Sequence, residues 1–253
     1  MPTPFYHLSL ARVILAHPQL PEHIRTFLHG EEGAFYLGKT APDVQTISGQ
    51  SRESTHFFAI PPKNETPAWE VLFQQHPQLG HPDQLPPAQA AFIAGYICHL
   101  QADLQWLGNV FFPYFSKSAG WDHFYQRYYL HNVLRAYLDE QIMGDLPQDI
   151  YALLGQAQPN GWLPFVADMA LEQWRDMLVK QLRFDGQSRT AEVFSERMSI
   201  PVEKMTDLLN SEERMEAEIF SRVPRQLLVE YRHKLIASNL ELLSEYFCSL
   251  NDS

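Results

Sequence analysis

The chain has 253 residues, 45% of them hydrophobic and 13% aromatic, which is enough apolar surface for a substantial core and excludes an intrinsically disordered segment. Its formal charge of -11, without any cluster of lysine and arginine, excludes a duplex nucleic-acid binder that works by neutralising phosphates. Two cysteines, Cys98 and Cys248, are too few for a disulfide framework and fit a reducing compartment.

The opening stretch MPTPFYHLSLARVILAHPQL carries an apolar run, but no basic residue precedes it and an arginine interrupts it. It therefore reads as a helix over 6–17 of a cytoplasmic protein, unlike a secretory signal. Residues 29–57 hold glycines and small side chains without a helical stripe and are expected to form an ordered excursion. Helices follow over 66–76 and 87–107, separated by the Pro- and Gln-rich segment 76–89, which reads as a loop. Further helical periodicity covers 121–143, 161–184, 189–198, 201–210 and 211–249, with Pro224 dividing the last run. No run of about 18 apolar residues occurs, so no segment is expected to span a membrane, although peripheral contact with lipid stays open.

Strand-like alternation is nearly absent. The expectation is one all-α, multi-helical domain over 1–253. Ten of the eleven histidines lie between residues 7 and 131, so 1–145 is expected to carry the chemistry and 146–253 to complete the core.

Four phrases carry that chemistry: YHLSLA with His7, GKTAPDVQ with Asp43, SRESTHF with His56, and GYICHLQADLQW with His99 and Asp103. Singly, each has a plain structural explanation: a helix-start histidine, a turn-starting aspartate, a packed histidine, an i,i+4 helix pair. Jointly they supply three imidazoles and two carboxylates, a donor set suited to zinc or another divalent transition metal. On a helix, residues four apart differ by about 40° of rotation, so His99 and Asp103 can aim at one point.

In this order the phrases resemble the zinc-dependent phospholipase C family, whose helical fold and metal cluster are shared with single-strand-specific zinc nucleases. The likeness runs through roughly residues 5 to 125. It implies that Asp43, His56 and His99 hold a first zinc, that Asp103 bridges towards a second ion also bound by His7, and that Asp43 doubles as general base. The family's further donors fall on Asn109, on His123 and, one turn later, on Arg127. His123 matches as a metal ligand and the other two do not, which implies one or two ions instead of three. His131, Asp139 and Glu140 are alternative donors nearby. Arg127 is expected to hold a substrate phosphate in place of a lost ion, its alternatives being solvent or a pair with Asp122. Trp121, Phe124 and Tyr125 are candidates for an aromatic cage around a quaternary ammonium.

The resemblance implies a zinc-dependent hydrolase of phosphate esters, a phospholipase C-like phosphodiesterase acting on a small phosphate ester or a phospholipid head group. The alternatives are a single-strand nuclease or nucleotidase on the same cluster, and a degenerate module that binds metal without catalysis. A histidine-aspartate phosphohydrolase requires an adjacent His-Asp pair, and none occurs.

Overall fold

A computed structural model describes residues 1–63, 65–121, 123–147, 149–183 and 188–248. Among these the chain is all-α, with no strand. The first half contains α1 (Pro4–Leu15), α2 (Glu22–Gly30), α3 (Glu32–Gly38), the short α4 (Gln45–Ser48) and α5 (Arg52–His56), α6 (Ala68–Gln75), α7 (Pro87–Trp106) and α8 (Phe112–Phe115). The second half contains α9 (Phe124–Met143), α10 (Ile150–Gly155), α11 (Asp168–Leu182), α12 (Thr190–Met198), α13 (Val202–Leu209), α14 (Glu212–Met215) and α15 (Arg225–Tyr246). No helix of the described residues is long and apolar enough to cross a membrane.

Helix α7 is the axis of the fold. Every residue from Ala90 to Leu100 is buried, and a helix that is apolar all round belongs in the middle of other helices. Pro87 starts it at the position where a missing N–H costs nothing. Helix α3 crosses it on one side, while α15 and α6 pack elsewhere along its length. A buried apolar cluster runs without interruption from Phe5 in α1 to Phe247 beyond α15.

The α3–α7 crossing depends on glycine. A Cβ on Gly38 would stand 1.9 Å from the Phe92 carbonyl oxygen, and one on Gly95 would stand 2.3 Å from the Phe35 carbonyl oxygen. Backbone therefore lies directly on backbone.

This corrects the expectation for 29–57, which is largely helical. Gly33 and Gly38 are packing surfaces, and Ala34–Gly38 shows no stripe because all five residues are buried. Helices α2 and α10 also lie outside the segments that periodicity marks. The run at 161–184 becomes helical only from Asp168, which turns Met169 outward at 67% exposure while Leu171 and Trp174 pack inward. The last run divides before Pro224 as expected, through a π turn at Glu216–Phe220.

Gly95→Ala is expected to lower the unfolding free energy by about 2–3 kcal/mol, the usual cost of overpacking. Gly30→Ala, at the end of α2 with no atom within 4 Å of where its Cβ would stand, should be neutral or stabilising by under about 1 kcal/mol. Urea titration of the two variants compares them, and equal stabilities would contradict the close crossing.

Candidate metal centre

Each donor is presented by a locally determined element. Thr3 caps α1 by accepting the Tyr6 N–H at 3.2 Å, with Pro4 in the first turn, and His7 follows one turn later, fully buried. Pro42 opens the 3-10 turn Ala41–Val44 that holds Asp43. Ser51 caps α5 by accepting the Ser54 N–H, and Phe57 ends the helix in the left-handed region at φ 61°, turning the chain away directly after His56. His99 and Asp103 stand on the same face of α7.

The structure brings these five side chains together. His7, His99 and Asp103 form one group of possible metal donors and Asp43, His56 and His99 another, with the ligand atoms of each within 4.8 Å of one another. His7 Nε2 lies 3.5 Å from Asp103 Oδ1, His56 Nε2 3.3 Å from Asp103 Oδ2, His99 Nε2 3.7 Å from Asp103 Oδ2, and His56 Nε2 3.5 Å from Asp43 Oδ1. Nitrogen and oxygen in a hydrogen bond approach to about 2.7–3.2 Å, so these contacts are too long. Tetrahedral ligands about 2.0–2.1 Å from a zinc ion stand roughly 3.3 Å apart, which is close to what is seen.

The remaining hydrogen bonds agree. His7 Nε2, His56 Nε2, His99 Nε2 and Asp103 Oδ1 are buried without a hydrogen-bond partner. An unpaired buried polar atom is costly, and these atoms belong to two donor groups that share His99, each able to offer a cation the missing partner. His99 Nδ1 lies 2.9 Å from the Lys39 carbonyl oxygen and His56 Nδ1 3.0 Å from the Thr55 hydroxyl. A carbonyl oxygen only accepts, so His99 carries its proton on Nδ1 and turns a lone pair inward at Nε2, as metal-bound imidazoles do. The residues fit a divalent transition metal.

Electrostatics favours the deprotonated form of His7, Asp43 and Asp103. Burial, then the neighbouring His99, pushes the His7 pKa down to about 3, so its ring is neutral. Burial alone would raise Asp43, but His56 and His99 outweigh it and hold the carboxyl at about 2. The same opposition holds Asp103 well below the usual carboxylate range: burial raises it, while His99, His56 and His7 together lower it further. Deprotonated ligands are what a cation requires.

Two cations near the centre escape a reading of the sequence that looks for ligands alone. Arg52 Nη2 donates to Asp103 Oδ2 at 2.7 Å, and its guanidinium also lies 4.5 Å from the Phe58 ring. The signal is present, since Arg52 precedes His56 by four residues and shares its helix face. Lys39, inside the GKTAPD phrase, is fully buried, its amine lacks a hydrogen-bond partner, and burial lowers its pKa to about 8.

A cleft of about 410 Å³ reaches the centre through Asp43 and Arg52. Asp43 has a 19% exposed side chain, whereas His7, His56, His99 and Asp103 are at 0%. The centre is thus open on one side.

The other expected site residues lie elsewhere. His123 is an exposed residue just before α9 and joins neither donor group, because the π turn Leu107–Phe111 and the short α8 extend the chain beyond α7 before it returns. Asn109 sits in that π turn and donates to the Gln105 carbonyl at 2.8 Å. Arg127 is half-buried, with its guanidinium 5.2 Å from the Phe124 ring, and does not line the cleft. Asp122, its alternative partner, lies outside the described residues. Trp121 stacks on Phe115 and donates to the Tyr114 carbonyl at 2.6 Å, while Tyr125 is 46% exposed with Lys204 5.5 Å from its ring, so neither faces the centre. Phe124 stacks on Tyr128 at 70% exposure, so the three aromatics form no cage at the cleft.

The alternative donors are accounted for too. His131 Nε2 accepts from Trp106 Nε1 at 3.0 Å, and burial keeps that ring neutral. Glu140 is exposed. Asp139 accepts from the Thr3 and Thr190 hydroxyls, tying the start of α1 to α12. Burial raises Asp139 to about 7, against the opposing pull of the two hydroxyls and Arg135.

Asp103→Ala should cost the purified protein its bound metal while His233→Ala keeps it, as read by elemental analysis; equal metal content in both would contradict the centre. Asp139, protonated in the folded chain between its unfolded value of 3.8 and about 7, favours folding fully at low pH and progressively less as pH rises through that window. Between pH 5 and pH 8 the wild type should therefore lose about 2 kcal/mol of stability relative to Asp139→Asn, measured by urea denaturation, and parallel profiles would contradict the buried protonated carboxyl.

Comparison of the chain with protein-family models, with curated proteins and with solved structures finds no match.

Proposed function

We propose that the protein is a metal-dependent hydrolase of phosphate esters, acting as a phosphodiesterase of the phospholipase C-like kind. The observation that carries this reading is the pair of buried donor groups, His7, His99 and Asp103 beside Asp43, His56 and His99, with partnerless imidazole nitrogens in both and Asp43 opening onto a cleft. Structural zinc sites are closed, whereas catalytic ones keep an accessible position. The opening beside Asp43 therefore favours catalysis over a metal held for structure alone.

His7, His99 and Asp103 would hold an ion on the inner side, and Asp43, His56 and His99 one at the open edge. A divalent ion there supplies positive charge to phosphoryl oxygens and acidifies water. The two groups share His99 and would accommodate one or two ions, with Arg52 donating to Asp103 Oδ2 beside them. Arg52 lines the cleft, where its guanidinium can orient a phosphate by a charge-assisted hydrogen bond. Asp43, ionised at neutral pH, is the carboxylate shared by the donor set and the cleft, and its Oδ atoms are placed to take a proton from the attacking water.

Purified protein should hydrolyse bis(p-nitrophenyl) phosphate, lose that activity to a chelator and regain it with zinc. Asp43→Asn should retain the helical circular-dichroism spectrum and lose about 100-fold or more in turnover, the scale of a general-base contribution. Hydrolysis that is indifferent to chelator would overturn the reading. A metal-loaded protein inert towards both mono- and diesters would overturn it in favour of a non-catalytic metal-binding module.

A further inference from the structure

The cleft that reaches the centre is cationic in a protein whose formal charge is -11. Arg52, Arg135, Arg189 and Arg197 line it, against the carboxylates of Asp43 and Glu196. The arginines are arranged by depth. Arg52 lies at the inner end, fixed on Asp103, while Arg189 and Arg197 are exposed near the start and end of α12. Arg135, on α9, is half-buried, with its guanidinium 4.5 Å from the Phe194 ring and Nη1 donating to Asn132 Oδ1 at 3.0 Å.

These contacts hold Arg135 in position without saturating it, for its Nε is buried and has no hydrogen-bond partner. Arg52 Nη1 is in the same condition. One reacting phosphate beside Asp43 needs one guanidinium, and the others extend away from it towards solvent. Four guanidiniums against two carboxylates in one cleft match a ligand that carries negative charge along its length.

Resting on the phosphodiesterase reading, we propose that the substrate is a phosphate ester bearing at least one further phosphate, which Arg135 and Arg197 hold while the reacting phosphate lies at Asp43 and Arg52. The chemistry is shared by soluble polyphosphorylated esters and by the head groups of polyphosphorylated lipids.

The test is isothermal titration of the zinc-loaded full chain with inositol 1,4,5-trisphosphate and with inositol 1-phosphate. The trisphosphate should bind about tenfold or more tightly, the equivalent of one additional charge-assisted contact. Arg135→Gln combined with Arg197→Gln should erase most of that advantage while metal content and affinity for the monophosphate stay unchanged. Arg197→Gln alone, at an exposed position where folding is not at stake, should remove a measurable part of it. Equal affinities in the wild type, or a full advantage in the variants, would overturn the proposal.

A parallel arm uses phosphatidylcholine vesicles with and without phosphatidylinositol 4,5-bisphosphate. Retention on the doped vesicles beyond what the free trisphosphate gives, lost in Arg197→Gln, supports a lipid source. Binding of the free trisphosphate without that gain supports a soluble one. Because the readout is binding, diester hydrolysis without preference for the additional phosphate overturns this inference alone. Preferential binding without hydrolysis overturns the phosphodiesterase reading alone.

Discussion

The direct contact of two helix backbones, α3 against α7, is the constraint on which the centre depends. Gly38 and Gly95 remove the side chains that would hold the helices apart, since a Cβ at either place would overlap a carbonyl of the opposing helix. The chain leaves that crossing at Lys39, whose carbonyl oxygen meets His99 Nδ1 at 2.9 Å. From there Pro42 turns it into the short helix of Asp43, and the path to His56 closes where Tyr96 of α7 donates to the Thr55 carbonyl. Backbone contact is thereby converted into side-chain aim: segments far apart in the sequence deliver Asp43 and His56 to the face of α7 that carries His99 and Asp103. Larger residues at the glycines would move the donors as well as loosen the core.

The electrostatic arrangement that results is one that apolar packing does not satisfy. Two carboxylates, three imidazoles, the Arg52 guanidinium and the Lys39 ammonium share a region that is buried apart from the edge at Asp43 and Arg52. Removing such groups from water costs several kcal/mol for each charge that lacks a close partner. Arg52 partners one oxygen of Asp103, and the remaining inward-facing atoms stand at distances suited to a cation and too long for hydrogen bonds to each other. A bound ion would offset that cost, so metal affinity and folding stability should be linked in this protein. The same burial keeps His7 neutral and available to bind a cation.

The helical class was legible because apolar periodicity survives in half-buried helices such as α11, α12 and α13. It failed for α3, where burial on every side erases the stripe, and Gly33 and Gly38 read as loop punctuation until their packing partners are known. The grouping of His7, Asp43, His56, His99 and Asp103 was legible because residue types that can bind a cation are recognisable by type and order. What lies beyond α7 was not, since the register of a helix after a π turn at Leu107–Phe111 cannot be extrapolated, and His123 and Arg127 consequently fall away from the centre. The positive charge assigned to Arg127 is supplied near the centre by Arg52, which its i,i+4 spacing from His56 marks in the sequence once arginine is weighed alongside the ligands.

X-ray absorption at the zinc edge of the zinc-loaded protein tests the centre most directly. The account predicts a nearest shell of nitrogen and oxygen only, at about 2.0–2.1 Å, with the outer-shell scattering of several imidazole rings. A sulfur shell at about 2.3 Å, or oxygen neighbours without imidazole scattering, would contradict it.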